Sequence, residues 1–244
     1  MSRWPDDWIL PDWPAHPRVR ACVTTRIGGI SEMPFDSFNL GVHVGDAPDA
    51  VAANRGKLQQ LIGCEPAWLS QVHSSIAVEA DPHTCPAADA SWTAETGIAC
   101  AVLTADCLPV LISDLAGTRV AAAHAGWRGL AAGMLEATVA AMDIPPDQLI
   151  AWFGPAIGPA AFEVGGEVRD AFVSGHAEAE SAFVPSVNAG RFMADIYQLA
   201  RIRLSACGVA AVHGGGLCTF TDPRFYSYRR AAQTGRFASL IWLV

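Results

Sequence analysis

What this chain lacks narrows its class before any motif is read. Charged residues fill only 16% of its 244 positions, and no basic cluster offsets a formal net charge of −8. That balance argues against a nucleic-acid partner, which calls for a basic face. No apolar run reaches the roughly 18 residues of a membrane span. The longest, near residues 98–112, is broken by Thr104, Asp106 and Pro109. Residues 1–14 have neither the basic patch nor the apolar stretch of a secretory leader, since Trp4, Trp8 and Trp13 stand there among acids and prolines. No C-x-x-C pair occurs, and the seven cysteines (22, 64, 85, 100, 107, 207 and 218) are an odd number without framework spacing. This excludes a disulfide scaffold and disfavours a closed, four-ligand structural zinc site. Repeats, low-complexity tracts and linker-like shifts are absent too. The expectation is a cytoplasmic protein with reduced thiols.

What is present suits a loop-rich enzyme. Hydrophobic residues make up 51%, with 22 glycines and 16 prolines, enough to bury a sizeable core. Residues 1–18 read as an irregular arm laid across the core, and 19–244 as one catalytic domain. Strand patterns fall at 19–25, 67–70, 76–79, 97–103, 109–114, 119–123, 149–153 and 236–244. Helical spacing falls at 49–61, 130–142, 166–175 and 195–207, with Gly63 and Gly208 as stop signals. Strands outnumber helices without strict alternation, so the expected fold is α+β, with layered mixed sheets flanked by helices.

Three short strings carry the chemistry: Gln71-Val72-His73, Thr104-Ala105-Asp106-Cys107 and His124-Ala125-Gly126-Trp127-Arg128-Gly129. Each sets a histidine or cysteine at or just past the end of a strand-like run. Taken singly, such a residue is more often packing or a loop hydrogen bond than a ligand. Together, a thiolate and two imidazoles from separate loops make a good set for one zinc ion with an open fourth position. Asp106, beside Cys107, could orient a ligand or act on a substrate proton, or simply cap a strand end. Trp127 could stack on a base or pack. Tyr226, Ser227, Tyr228 and Arg229 could line a pocket or alternate on a half-buried strand.

The same strings, with others, resemble the YfiH family, whose members are also described as laccase-like polyphenol oxidases or purine nucleoside phosphorylases. The N-terminal blocks are Thr24-Thr25-Arg26-x-Gly28-Gly29-x-Ser31, Asn39-Leu40-Gly41-x-His43-Val44-Gly45-Asp46 and Asn54-Arg55. The C-terminal ones are Gly154-Pro155-x-Ile157-Gly158-Pro159, Phe162-Glu163-Val164, Phe225-Tyr226-Ser227-Tyr228-Arg229-Arg230 and Thr234-Gly235-Arg236. The resemblance runs from about residue 20 to the end. It departs at Ala161, where cysteine is common, at Gly216, where aspartate is usual, and at Ala231-Ala232, where Asp-Gly is usual.

The resemblance implies a zinc enzyme that phosphorolyses adenosine, inosine and methylthioadenosine and deaminates adenosine. Its metal ligands would be His73, Cys107 and His124. Arg26, Asn39, His43, Arg55 and Arg229 would meet phosphate and ribose, and Asp106 and Cys107 would be catalytic. The partners are then a purine nucleoside and phosphate, acting on a monomer or homodimer. A second reading is a cysteine hydrolase or amidase on a peptidoglycan precursor, with Cys107 as nucleophile and His124 or His73 as base. A copper polyphenol oxidase fits least, because laccase-type oxidation uses several coppers and about ten histidines, against seven here.

Overall fold

Four strands with every residue buried form the centre of the molecule. The structure, a computed structural model, describes residues 4–244. In chain order its first elements are β1 (Val19–Val23), α1 (Pro48–Ile62), β2 (Glu65–Ala67), β3 (Ala77–Glu79), β4 (Ala90–Thr93), β5 (Ile98–Thr104), β6 (Leu108–Asp114) and β7 (Val120–Ala125). Then come α2 (Trp127–Ala131), α3 (Met134–Met142), β8 (Leu149–Phe153), β9 (Glu163–Gly165) and α4 (Gly166–Val173). The last are β10 (Phe183–Pro185), β11 (Arg191–Ala194), α5 (Ile196–Ala206), β12 (Ala211–Gly214) and β13 (Phe237–Leu243). The fully buried strands are β6, β7, β8 and β13.

They belong to two mixed sheets, ordered β1-β13-β5-β2 and β12-β8-β6-β7-β4-β3. A small third sheet runs β10-β11-β9. The two large sheets pack face to face, and the period of two along each strand decides which core a residue joins. On β5, Cys100 and Val102 point into the inter-sheet core with Phe237 and Ile241 of β13, Leu111 of β6 and Trp152 of β8. Ala99, Ala101 and Leu103 point the other way, onto Leu58 and Ile62 of α1. Beyond the six-stranded sheet, Val110, Ile112 and Phe153 meet Leu130, Met134 and Leu135 of α2 and α3 and Leu199 of α5. Helix, sheet, sheet and helices therefore stack in layers, an α+β arrangement.

Local signals explain the ends of α1. Proline opens its first turn, where the missing N–H costs nothing. Gly63 closes it in the left-handed region (φ 71°), its N–H bonded to the Gln59 carbonyl at 2.9 Å. The helix expected over 130–142 instead divides into α2 and α3 at Gly133, whose φ of 94° no helix accommodates. Ser70 lies beyond β2, in an isolated bridge to Ala87. β4 and the small third sheet had no clear signal, because three- and four-residue strands carry too little periodicity. Of the two readings of residues 226–229, the half-buried strand does not form: the segment is a turn, closed by the Ala231 N–H on the Ser227 carbonyl.

Residues 4–18 lie against the four-stranded sheet. Ile9 exchanges backbone hydrogen bonds with Val23 at 3.0 and 2.8 Å, Trp8 is buried, and Trp4 donates to the Leu61 carbonyl at 3.1 Å. Residues 1–3 of the arm lie outside the described residues. Among the described residues no helix is long and apolar enough to cross a membrane.

Leu111 has no exposed surface and spans the gap between the two large sheets. Leu111→Ala should lower unfolding free energy by about 2–5 kcal/mol, through lost transfer energy plus the cavity left behind. Urea denaturation followed by tryptophan fluorescence checks this, and a change under 1 kcal/mol would place the core elsewhere.

Candidate metal centre and cavity

The chain crosses from one large sheet to the other through the turn Ala105-Asp106-Cys107, between β5 and β6. That turn, the end of β7 and the loop after β2 open on the same edge of the stack. On β7, Val120 and Ala122 face the inter-sheet core, and the period of two gives His124 the same direction. Gln71 docks the loop on β5, its amide donating to the Leu103 carbonyl at 2.9 Å and accepting the Leu103 N–H at 2.8 Å. The side chain thus continues the ladder that β2 leaves off.

These placements bring His73, Cys107 and His124 together, with one donor atom from each lying within 4.8 Å of the others. The span is somewhat wider than the expected ~4 Å for ligands at zinc bond lengths. The two imidazoles meet edge-on, centroids 4.8 Å apart. His124 is buried, Cys107 half-buried and His73 exposed, so the set opens outward. Gly126 confirms how closely the donors crowd: an added Cβ would lie 2.7 Å from His73 Nδ1 and 3.0 Å from Cys107 Sγ. Two imidazoles and a thiolate around a cradle with no room for a side chain fit a divalent, borderline-soft ion.

A residue outside all the motifs organises this group. The buried Asp89 carboxylate accepts from His124 Nδ1 at 2.8 Å, from the backbone N–H of Val72, His73 and Ser74 at 3.2, 3.0 and 2.6 Å, and from Ser74 Oγ at 2.8 Å. The Asp89 carbonyl also takes the His124 N–H at 2.7 Å. Burial alone would raise the Asp89 carboxyl, but the hydrogen bonds from His124 and Ser74 hold it well below the usual carboxylate range. Burial likewise opposes charge on His124, yet Cys107 and Asp89 outweigh it and lift that imidazole to about 9. Burial and the neighbouring His124 charge lower the His73 pKa.

His73 and Asp106 both hold left-handed backbone, at φ 60° and 90°. Each such position costs about 1–3 kcal/mol in a residue with a side chain. Asp89 holds the first. The second is held by its own carboxylate, which accepts from Thr219 Oγ1 at 2.6 Å and from the Arg229 N–H at 2.7 Å, while its carbonyl takes the Ile157 N–H at 2.9 Å. Both Asp106 oxygens are thus engaged in tying the C-terminal loop to the turn.

The donors sit in a cavity of about 420 Å³. Its lining includes the apolar Trp127, Ile157, Phe162 and Ile196 and the cationic Arg128, Arg229 and Arg236, with His43 and Tyr228; Arg128 lies 4.5 Å from the Trp127 ring centroid. Arg229 donates to the Ala161 carbonyl at 3.2 Å and lies 5.8 Å from the Phe162 ring centroid. Of the residues expected at phosphate and ribose, His43 and Arg229 line this cavity.

Arg26, Asn39 and Arg55 do not. Arg26 is paired to Asp36 at 2.9 Å and stands 5.1 Å from the Tyr226 ring centroid. Asn39, fully buried, bonds Gly41 in both directions and accepts the Arg236 N–H at 2.8 Å. Arg55 donates to the Leu40 carbonyl at 2.9 Å and covers Trp68 at 4.0 Å. All three contact the 36–46 segment that carries His43. Asp89 was missed because it precedes a four-residue strand with no pattern of its own. Arg236 had a signal, standing in the Thr234-Gly235-Arg236 block.

Layered mixed sheets opening on a His-Cys-His group that could hold a metal ion, in a cavity lined by three arginines, define the class. Residues 20–244 match the family described as multi-copper polyphenol oxidoreductase laccase, and the chain belongs to that family, the YfiH family. It is 68% identical over 237 residues to a purine nucleoside phosphorylase of Pseudomonas aeruginosa, covering 97% of this chain and 98% of the relative. It is 52% identical over 241 residues to the purine nucleoside phosphorylase YfiH of Escherichia coli, covering 97% and 98%. Among solved structures, a Neisseria meningitidis protein of family DUF152 superposes with a TM-score of 0.95 at 51% identity, covering 98% of this chain and 99% of that one. YlmD of Geobacillus stearothermophilus superposes at 0.88 with 27% identity, covering 99% and 97%.

The Asp89 network makes a direct prediction. Asp89→Asn retains the shape but not the charge, and should weaken zinc affinity by about 10–100-fold, the usual effect of removing a ligand's carboxylate partner. Competition with a chromophoric chelator measures it. Affinity within twofold of the original would show that His124 is oriented by packing alone.

Proposed function

We propose that this chain is a zinc-dependent purine nucleoside phosphorylase that cleaves adenosine, inosine and methylthioadenosine with phosphate, and deaminates adenosine at the same centre. The observation that carries the reading is the convergence of His73, Cys107 and His124 at a cavity lined by both apolar side chains and arginines. The names of the relatives from Pseudomonas aeruginosa and Escherichia coli support it. A single group of three donors suits one ion, with zinc favoured over copper for a thiolate–imidazole set with an open position.

When bound, zinc supplies Lewis-acid activation of a water or of a substrate heteroatom. The chain's own residues do the rest. Asp89 keeps the proton on His124 Nδ1, leaving Nε2 for the ion. Ile157, Phe162 and Ile196 take the flat purine and keep water from it. In phosphorolysis the bond from C1′ to the purine nitrogen breaks, its electron pair leaving with the base, and a phosphate oxygen bonds C1′. Arg229 would face the nucleoside, and His43, which lines both this cavity and an adjoining hollow, the phosphate, in line for that exchange. Asp106 acts by fixing the Arg229 backbone. The setting is cytoplasmic, and the working unit a monomer or homodimer.

One observation favours the second reading. Asp89, His124 and Cys107 stand in the order of a nucleophilic cysteine triad, with the carboxylate on Nδ1. On that reading Cys107 attacks an amide of a peptidoglycan precursor.

Cys107→Ala and His73→Ala separate the two. The zinc enzyme should lose its stoichiometric metal and at least about 100-fold in turnover of adenosine and inosine in both variants, and chelation should abolish wild-type activity. Elemental analysis alongside product chromatography, with and without phosphate, gives both quantities. Activity that survives chelation, with a substrate fragment attached to Cys107 in the mass spectrum, would establish the hydrolase instead.

A further inference from the structure

Adjoining the main cavity is a second hollow of about 370 Å³, lined by Val44, Ala232, Gln233 and Thr234 and sharing His43, Tyr228 and Arg236 with the first. Arg236 borders both. Its stem passes over Gly41, where an added Cβ would come within 2.9 Å of Arg236 Cγ, so glycine is required for that path. Asn39 accepts the Arg236 N–H at 2.8 Å, and Nη1 donates to the Thr234 and Gly235 carbonyls at 3.0 and 2.9 Å. This leaves Nε and Nη2 for a ligand.

No carboxylate forms an ion pair with Arg236, Arg229 or Arg128 among the described residues. The acidic groups that act on Arg236 are Cys107, Asp106 and Tyr228. Asp106 is already engaged with Thr219 and Arg229, and Cys107 belongs to the donor group. Burial pulls the Arg236 pKa below the ordinary arginine range against their effect. A partly buried guanidinium fixed by two carbonyls and lacking an acid of its own calls for an anion. Its fork suits two oxygens of a tetrahedral one.

We propose that Arg236, with His43, Gln233 and Thr234, forms an oxyanion compartment in the adjoining hollow that takes inorganic phosphate, so that phosphate and nucleoside meet at the residues the two hollows share. This rests on the phosphorylase reading and deepens it by giving phosphate its own compartment. Partial desolvation and the Arg236 and Arg55 charges lower the His43 pKa, consistent with a neutral ring offering one N–H to the anion.

Calorimetric titration of the intact, zinc-loaded chain with inorganic phosphate, without nucleoside, tests it. Wild type should bind saturably. Arg236→Gln should weaken binding at least tenfold, and Gln233→Glu, an exposed change that sets a charge beside the anion, several-fold at low salt. Zinc content should stay unchanged in both. Absence of saturable binding, or two variants indistinguishable from wild type, overturns the compartment; if Arg236→Gln fails to fold, Gln233→Glu decides. A second arm compares adenosine with adenosine 5′-monophosphate. A gain from the 5′-phosphate that disappears in Arg236→Gln would assign the compartment to a substrate-borne phosphate and overturn the free-phosphate form. Phosphate binding that needs Arg236 without any phosphorolysis would leave the compartment standing and remove the phosphorylase reading. Phosphorolysis with an unchanged phosphate KM in both variants would do the reverse.

Discussion

One buried carboxylate, Asp89, is the constraint on which the rest of the site depends. It has no exposed surface, yet it takes three backbone N–H groups, a hydroxyl and an imidazole N–H. A charge buried so deeply is tolerable only when surrounded by donors. Those donors belong to two different parts of the chain. Asp89 therefore fixes the left-handed backbone at His73 and the ring of His124 with one group, and neither histidine can be moved without breaking the other's support. Asp106 repeats the device across the cavity, binding Thr219 and the Arg229 backbone.

The sheet architecture explains why such clamps are needed. Strand ends deliver side chains to one edge of the stack but do not set their rotation. Turns that leave those ends expose backbone groups, which must find partners. Here the partners are carboxylates, and the same hydrogen bonds that satisfy the backbone aim the functional groups. Gln71 serves likewise by continuing the ladder beside Leu103.

Charge is distributed with similar economy. The chain is acidic overall, yet the main cavity is lined by three arginines and a single carboxylate, Asp106, already bound to its neighbours. A local positive field inside a negative molecule favours small anions over extended polyanions, because only a small ligand escapes repulsion from the surface outside. The arginines face carbonyls and aromatic rings rather than acids, so their charge remains available to a ligand.

The layered α+β class, most of the longer strands, the ends of α1 and the three-residue donor set were legible in the sequence. Each rests on a local property: a period of two or 3.6, a proline or glycine at a helix end, a histidine or cysteine at the end of an apolar run. Tertiary structure alone decided the partners. Asp89 lies 35 positions from His124, and Asp106 lies 123 from the Arg229 N–H it accepts. No local pattern reports a hydrogen bond between such distant residues. For the same reason the partners of Arg26, Asn39 and Arg55 could not be read from their motifs, and Arg236 took its place in the cavity lining only once Gly41 and Asn39 had been folded against it.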